Sequence, residues 1–166
     1  MTQKIDAYRE VLARFASGVT VVSAYRDKRP DGVTVSAFSA LSLSPPLVLA
    51  CIGEESDCYE LLARSERFAV NLLSNRQASL ALAFAELGDA KAQALSAYPD
   101  LWMKDSAPLL ADCLAHVVCR RHAVHPGGDH RIVVGEVIEL QLRDAAADPL
   151  VYFASAFRPL APPEKR

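Results

Sequence analysis

Residues 34–47 read TVSAFSALSLSPPL, and they lead directly into the apolar run 47–52, LVLACI. The stretch opens as a β-strand. It then sets five hydroxyls (Thr34, Ser36, Ser39, Ser42 and Ser44) among small or apolar neighbours and stops at Pro45-Pro46. A solvent-facing strand and loop would account for the serines alone. Their place between apolar strands supports a second reading, in which side-chain and backbone donors are aimed at a ligand. A flat heterocycle with a polar edge requires apolar walls and several short donors and acceptors, without a charged catalytic group.

The flanking segments define the frame. VTVVSAY, 19–25, is β-branched and reads as a strand, and DKRPDG, 27–32, is turn chemistry. VTVSAF, 33–38, reads as the next strand, which makes 19–38 a hairpin with a longer loop. Upstream, Ile5, Tyr8, Val11, Leu12 and Phe15 are spaced as on a helix over 5–16 that ends at Gly18. Downstream, 47–53 is continuously apolar, as expected of a strand buried on both faces. Ser56 is placed to cap a helix over 57–64. FAVNLL, 68–73, reads as a strand. Residues 75–97 read as helices broken near Gly88-Asp89, with Asp89 as a cap. Two longer strands, 112–125 and 131–143, flank the turn HPGGD, 125–129, and LVYFA, 150–154, is a last strand. These strands do not alternate regularly with helices, which argues against a doubly wound parallel sheet. The pattern predicts a mainly β fold, an antiparallel barrel with peripheral α-helices. No composition shift divides the chain, so residues 1–157 are expected to form one domain and 158–166 a proline-rich tail.

Bulk composition narrows the function classes. The chain has 166 residues, 51% of them hydrophobic, and a net charge of −2. The hydrophobic share predicts a substantial core and a buried oligomer face. No basic block points to nucleic acid, and no apolar run approaches a membrane span. The N-terminus lacks the apolar segment of a signal peptide, so a cytoplasmic location is expected. The four cysteines, Cys51, Cys58, Cys113 and Cys119, form no C-x-x-C pair and read as structural thiols.

Several chemistries fit poorly. On a strand, His116 and His122 would lie about 20 Å apart, too far to share a metal. A site using His125, Asp129 and His130 around the turn is left open. There is no G-x-S-x-G nucleophile elbow, no G-x-G-x-x-G and no Walker loop. Acids around Cys58 disfavour a thiolate there.

The ordered set of segments nevertheless resembles one family. GVTVVSA, DGVTVSAFSALSLSPPLVLACI, RFAVNLL, GDHRIVVGEV and PLVYF follow the order and spacing of the flavin reductase-like domain. Proteins of this family are the small reductase components of two-component flavin monooxygenases. The resemblance covers residues 8–157. It implies a Greek-key, FMN-binding split β-barrel, a homodimer, and flavin near the subunit interface. It implies hydride transfer from NADH or NADPH to FMN or FAD, and reduced flavin supplied to a partner oxygenase. The implied flavin-binding residues are Thr34, Val35, Ser36, Ala37, Ser39, Ser42 and Leu43, with Ser56, Asp57 and Cys58 at the phosphate end. Asp57 and Cys58 stand where further hydroxyls are common in relatives, and Glu54, Glu55 and Asp57 oppose a phosphate unless they point away. His130 is the expected catalytic residue, reaching the flavin or nicotinamide side. Gly135 and Glu136 read as a strand bulge with an exposed carboxylate. No metal is expected. Two alternatives stay open: a split-barrel protein that binds flavin without nicotinamide turnover, and a homodimeric interaction module without a ligand.

Overall fold

The computed structural model describes residues 2–103 and 105–160. An N-terminal helix α1 (Thr2–Leu12) is followed by β1 (Ser17–Gly18), β2 (Thr20–Arg26), β3 (Arg29–Val35), β4 (Phe38–Leu43) and β5 (Pro46–Gly53). Helix α2 (Tyr59–Arg64) leads to β6 (Arg67–Leu72). A 3-10 turn (Asn75–Gln77) then opens α3 (Ala78–Ala85), and α4 (Gly88–Leu95) follows. Short β7 (Trp102–Met103) and β8 (Leu109–Leu110) precede the two long strands β9 (Ala115–Gly127) and β10 (His130–Leu142). A small hairpin, β11 (Val151–Phe153) and β12 (Ala156–Arg158), closes the chain.

Seven strands form one antiparallel sheet in the order β3-β2-β6-β9-β10-β5-β4. Its two edges, β3 and β4, are consecutive in the chain and separated only by Ser36 and Ala37. Laid flat, seven strands would hold their edges roughly 29 Å apart, whereas a two-residue link spans about 10 Å between flanking residues. The sheet must therefore curl until its edges nearly meet. No ladder joins β3 to β4 among the described residues, so the barrel is split at this seam. The Ala37 carbonyl accepts from the Cys51 amide (2.9 Å), which extends the β4–β5 ladder one residue into the link.

Side-chain alternation divides the strands between two cores. Val22 and Ala24 of β2, Phe68 and Val70 of β6, and Val117 and Cys119 of β9 point into the barrel, where α2 adds Leu61 and Leu62. Val21 points outward onto Leu80, Ala81 and Phe84 of α3. Gly135 is fitted to the inner core: a Cβ there would lie 2.5 Å from the Phe68 ring and 2.7 Å from Cys119 Cβ. The β9–β10 register shifts at Val134/Gly135, and Glu136 pairs with Arg120 at 2.9 Å.

A buried polar chain secures the outer layer. Asn71 donates to the Val21 carbonyl and to Ser23 Oγ, and Ser23 donates to the Pro108 carbonyl. The Leu110 amide donates to Asn71, and His116 Nε2 donates to the Leu110 carbonyl (2.8 Å). Residues 107–110 are thus pinned to the outer face of β6 and β9.

Several boundaries differ from the sequence expectation. The hairpin turns are tighter: Asp27 and Lys28 both take positive φ (48° and 67°), as a two-residue turn requires, so β3 begins at Arg29. Pro30 is tolerated because β3 is an edge strand. The segment 33–38 breaks at Ser36-Ala37 and resumes as β4. Gly128, with φ of 77°, lets β9 and β10 turn through two residues, which leaves His125 within β9. Strand β5 is buried on alternate residues rather than on both faces. Asp89 does not cap α4; Asp57 Oδ2 accepts from the Gly88 amide instead (2.6 Å). Strand β12 was not anticipated and runs one residue past the expected domain boundary. Of the expected tail, 161–166 lies outside the described residues. Among them, no helix is long and apolar enough to cross a membrane.

Candidate active site

The seam carries the hydroxyl run. Thr34 and Val35 end β3. Val35 is buried in the barrel core, and Thr34 Oγ1 donates to the Ala81 carbonyl of α3 (2.6 Å). Ser36 and Ala37 are the link itself and are exposed. With Phe38 and Ser39 they form one wall of a cleft of about 850 Å³, whose other walls are α1 and β11. Ser42 and Leu43 lie farther along β4 and do not line this cleft; Leu43 is 96% exposed. Four residues of strand put Leu43 about 13 Å beyond Ser39.

Register fixes what else shares this face, because directly opposed residues of antiparallel strands point the same way. Ser39 opposes Leu49, Cys51 opposes Ile132, and Gly53 opposes His130. Ser39, Leu49, Cys51 and His130 therefore face outward on one side of the sheet. The His130 ring lies over Gly53, where a Cβ would be 3.7 Å from Nε2. Its Nδ1 is 2.7 Å from Asp129 Oδ1, and this contact holds the fully solvated Asp129 carboxyl below its ordinary range. The hairpin is tied to the loop after β5 by the Glu54 amide donating to the Asp129 carbonyl (3.0 Å). His130 stands at the end of β5 where loop 53–58 begins, on the same face as Ser39 and Cys51, but it is not among the residues that line the cleft.

The phosphate-end residues are otherwise engaged. Ser56 Oγ accepts from the Cys58 amide (3.2 Å), within the turn that starts α2. The Asp57 carboxylate faces α4, as described, and its carbonyl accepts from Arg26 (2.6 Å). Cys58 is fully buried, with Sγ donating to the Gly32 carbonyl (3.1 Å) and accepting from Lys91 Nζ (3.3 Å). Burial, reinforced by the nearby Asp31 charge, pushes its thiol up to about 12, so it is no nucleophile near neutral pH. Burial likewise raises Cys113 and Cys119 to about 12. Glu54 pairs with Arg131 (2.6 Å), whose Nε donates to the Tyr59 hydroxyl (3.2 Å).

Sequence reasoning missed two contributors. Tyr8, Arg9 and Leu12 of α1, with Phe15 just after it, line the cleft; helical spacing identifies the stripe of Tyr8, Leu12 and Phe15 but cannot tell one facing a core from one facing a cleft. The Asp31–Lys91 pair, 2.6 Å apart, joins residues of unrelated segments and leaves no local signal.

The fit to a flavin rests on these donors and walls. A cleft with aromatic and aliphatic walls, edged by Ser36 and Ser39, suits a planar ring with a polar rim. Comparison with known proteins agrees. The model of the flavin reductase like domain matches residues 12–161, so the chain belongs to that family. It is 39% identical over 158 residues to the reductase component of 4-hydroxyphenylacetate 3-monooxygenase from Thermus thermophilus, covering 95% of this chain and 98% of the relative. It is 37% identical over 154 residues to the NADH-dependent FMN reductase SmoA of Agrobacterium fabrum, covering 91% and 83%. Among solved structures, the NADH:FAD oxidoreductase SgcE6 of Streptomyces globisporus, in complex with NAD and FAD fragments, superposes with a TM-score of 0.88. The two are 32% identical, and the match covers 99% of this chain and 98% of that one.

Proposed function

We propose that the protein is an NADH-dependent flavin reductase that delivers reduced FMN or FAD to a separate oxygenase component. The observation that carries this reading is the cleft at the seam, where Ser36–Ser39 and the outward residues of β5 meet in a chain of the flavin reductase family. Flavin and nicotinamide supply the hydride exchange themselves; the protein must stack and orient them. Ser36 and Ser39 hold the flavin edge, with the 36–39 backbone alongside. The side chains of Thr34 and Val35 support that segment from behind, through α3 and the barrel core. Ser56, Asp57 and Cys58, engaged within and behind the loop after β5, shape that loop rather than touch ligand. His130, steadied by Asp129, borders the nicotinamide side and needs no proton transfer to act there.

A second copy of the chain completes the assembly on this reading. Ile138, Leu140 and Leu142 alternate along β10 at 42, 70 and 74% exposure, and Leu41 and Leu43 of β4 are exposed as well. Such a stripe is the apolar face that a homodimer would cover. The described residues act as one domain in the cytoplasm, which includes Arg158 at the end of β12.

The test is loss of reduced-nicotinamide absorbance with purified protein, NADH, and FMN or FAD added in turn. Flavin-dependent loss above the protein-free rate is expected, and the faster flavin is the substrate. No loss, with flavin fluorescence still quenched, would leave a flavin-binding protein without turnover.

A further inference from the structure

Among the described residues that line the cleft, Arg9 is the only one with a charged side chain. Around it stand aromatic rings (Tyr8, Phe38, Tyr152) and small groups such as Ser39 and Cys51. No ion pair among the described residues engages Arg9. The other places that could hold an anion are poorly suited. Loop 53–58 contains no basic residue, and although Glu54 and Asp57 are engaged elsewhere it supplies no positive charge of its own; α3, which packs beside β3, contains no basic residue either. A nucleotide presents a ring to be sandwiched and a phosphate to be neutralised. The cleft has walls for the first and one guanidinium for the second.

We propose that Arg9 takes the phosphate of a nucleotide bound in the cleft, making α1 a wall of the ligand site and not only a packing helix. The inference rests on the flavin reductase reading. A guanidinium can hold either the flavin phosphate or the nicotinamide diphosphate by paired N–H donors. The arms of the test separate the two sources.

Arg9→Gln and Arg9→Lys are titrated with FMN and with riboflavin, which lacks the phosphate, and NADH kinetics are measured at saturating flavin. If Arg9 holds the flavin phosphate, Arg9→Gln loses FMN affinity by about tenfold while riboflavin affinity is unchanged. If it holds the dinucleotide, both flavin titrations are unchanged and KM for NADH rises by about tenfold with kcat retained. In either case Arg9→Lys recovers part of the loss, and added salt weakens the wild-type interaction by screening. An unchanged FMN-to-riboflavin ratio together with an unchanged KM overturns the proposal. So does equal loss of FMN and riboflavin, which would mark α1 as packing alone. Should Arg9→Gln not fold, the salt dependence of wild-type FMN against riboflavin binding, and of KM for NADH, decides. A wild type that oxidises no NADH would sink the reductase reading, while its FMN-to-riboflavin ratio still reports on Arg9.

Discussion

Lys91 Nζ stands 2.6 Å from Asp31 Oδ1, tying α4 to the start of β3 directly behind loop 53–58. The same ammonium donates to Cys58 Sγ at 3.3 Å, and Arg26 reaches Asp31 at 3.2 Å. Burial alone would raise the Asp31 carboxyl and lower the Lys91 ammonium, but their hydrogen bond and mutual charge reverse both shifts. Lys91→Met leaves the partly buried Asp31 with only the more exposed Arg26 contact, so it should destabilise the chain by up to about 3 kcal/mol. Asp31→Asn/Lys91→Met should recover much of that loss in urea denaturation. The lowered Asp31 pKa adds stability that is present above its unfolded value near 3.8 and lost as pH falls below it. The raised Lys91 pKa adds stability that is present below 10.5 and lost as pH rises beyond it. A pH-stability profile in Lys91→Met that keeps the wild-type slope at both ends would refute this account.

His116 gives a second pH dependence, nearer neutrality. It is wholly buried, and its Nδ1 has no protein partner among the described residues. Burial is the main cause that holds its pKa below the ordinary 6.5. A depressed folded value means stability that is complete above 6.5 and lost as pH falls below it. Thermal melts from alkaline to mildly acidic pH should show that decline, and it should flatten in His116→Asn.

Gly135 tests the packing inside the barrel. With Phe68 and Cys119 already closer than a Cβ allows, Gly135→Ala should cost about 1–3 kcal/mol by overpacking. Pairing it with Phe68→Leu should return part of the loss. A melting temperature equal to wild type in the single variant would mean that the Phe68 ring is free to move aside.

His130→Ala should lower turnover with NADH several-fold while leaving flavin affinity nearly unchanged. Stopped-flow flavin reduction combined with flavin titration would check this. Equal loss in both measurements would make His130 a flavin contact or a folding residue.

Ser39 and Ser42 separate ligand-facing from merely polar positions. Ser39→Ala should weaken flavin binding by about 0.5–1.5 kcal/mol, the net value of one neutral hydrogen bond. Ser42→Ala, outside the cleft, should be silent. The opposite order in a fluorescence titration would move the flavin along β4.

Much of this was legible in the chain because it is written locally. The β-branched run 19–25 marked β2, the apolar run 68–73 marked β6, and the HPGGD turn marked the β9–β10 hairpin with His130 just after it. What escaped depends on pairings between distant segments. Nothing in 33–38 shows that Val35 and Phe38 belong to opposite edges of one sheet, since that follows from closure. Asp57 looked like a helix or phosphate residue because its partner, the Gly88 amide, lies on another helix. Cys58 read as a phosphate-end residue because its partners, Lys91 and the Gly32 carbonyl, are also remote. The cleft wall from α1 escaped for the same reason as the Asp31–Lys91 pair: both are products of the fold and not of neighbouring residues.

The two-residue link between β3 and β4 has a consequence for assembly. Ser36 and Ala37 can face a ligand in their native geometry only after the sheet has rolled up, so an unrolled chain has no such site. A nucleotide held at the seam therefore binds the finished barrel alone. By mass action, free ligand at a hundred times its Kd would stabilise that state by about 2.7 kcal/mol. Occupancy and foldedness become one equilibrium, and a flavin passing through the cleft also serves as a temporary strut for the protein that reduces it.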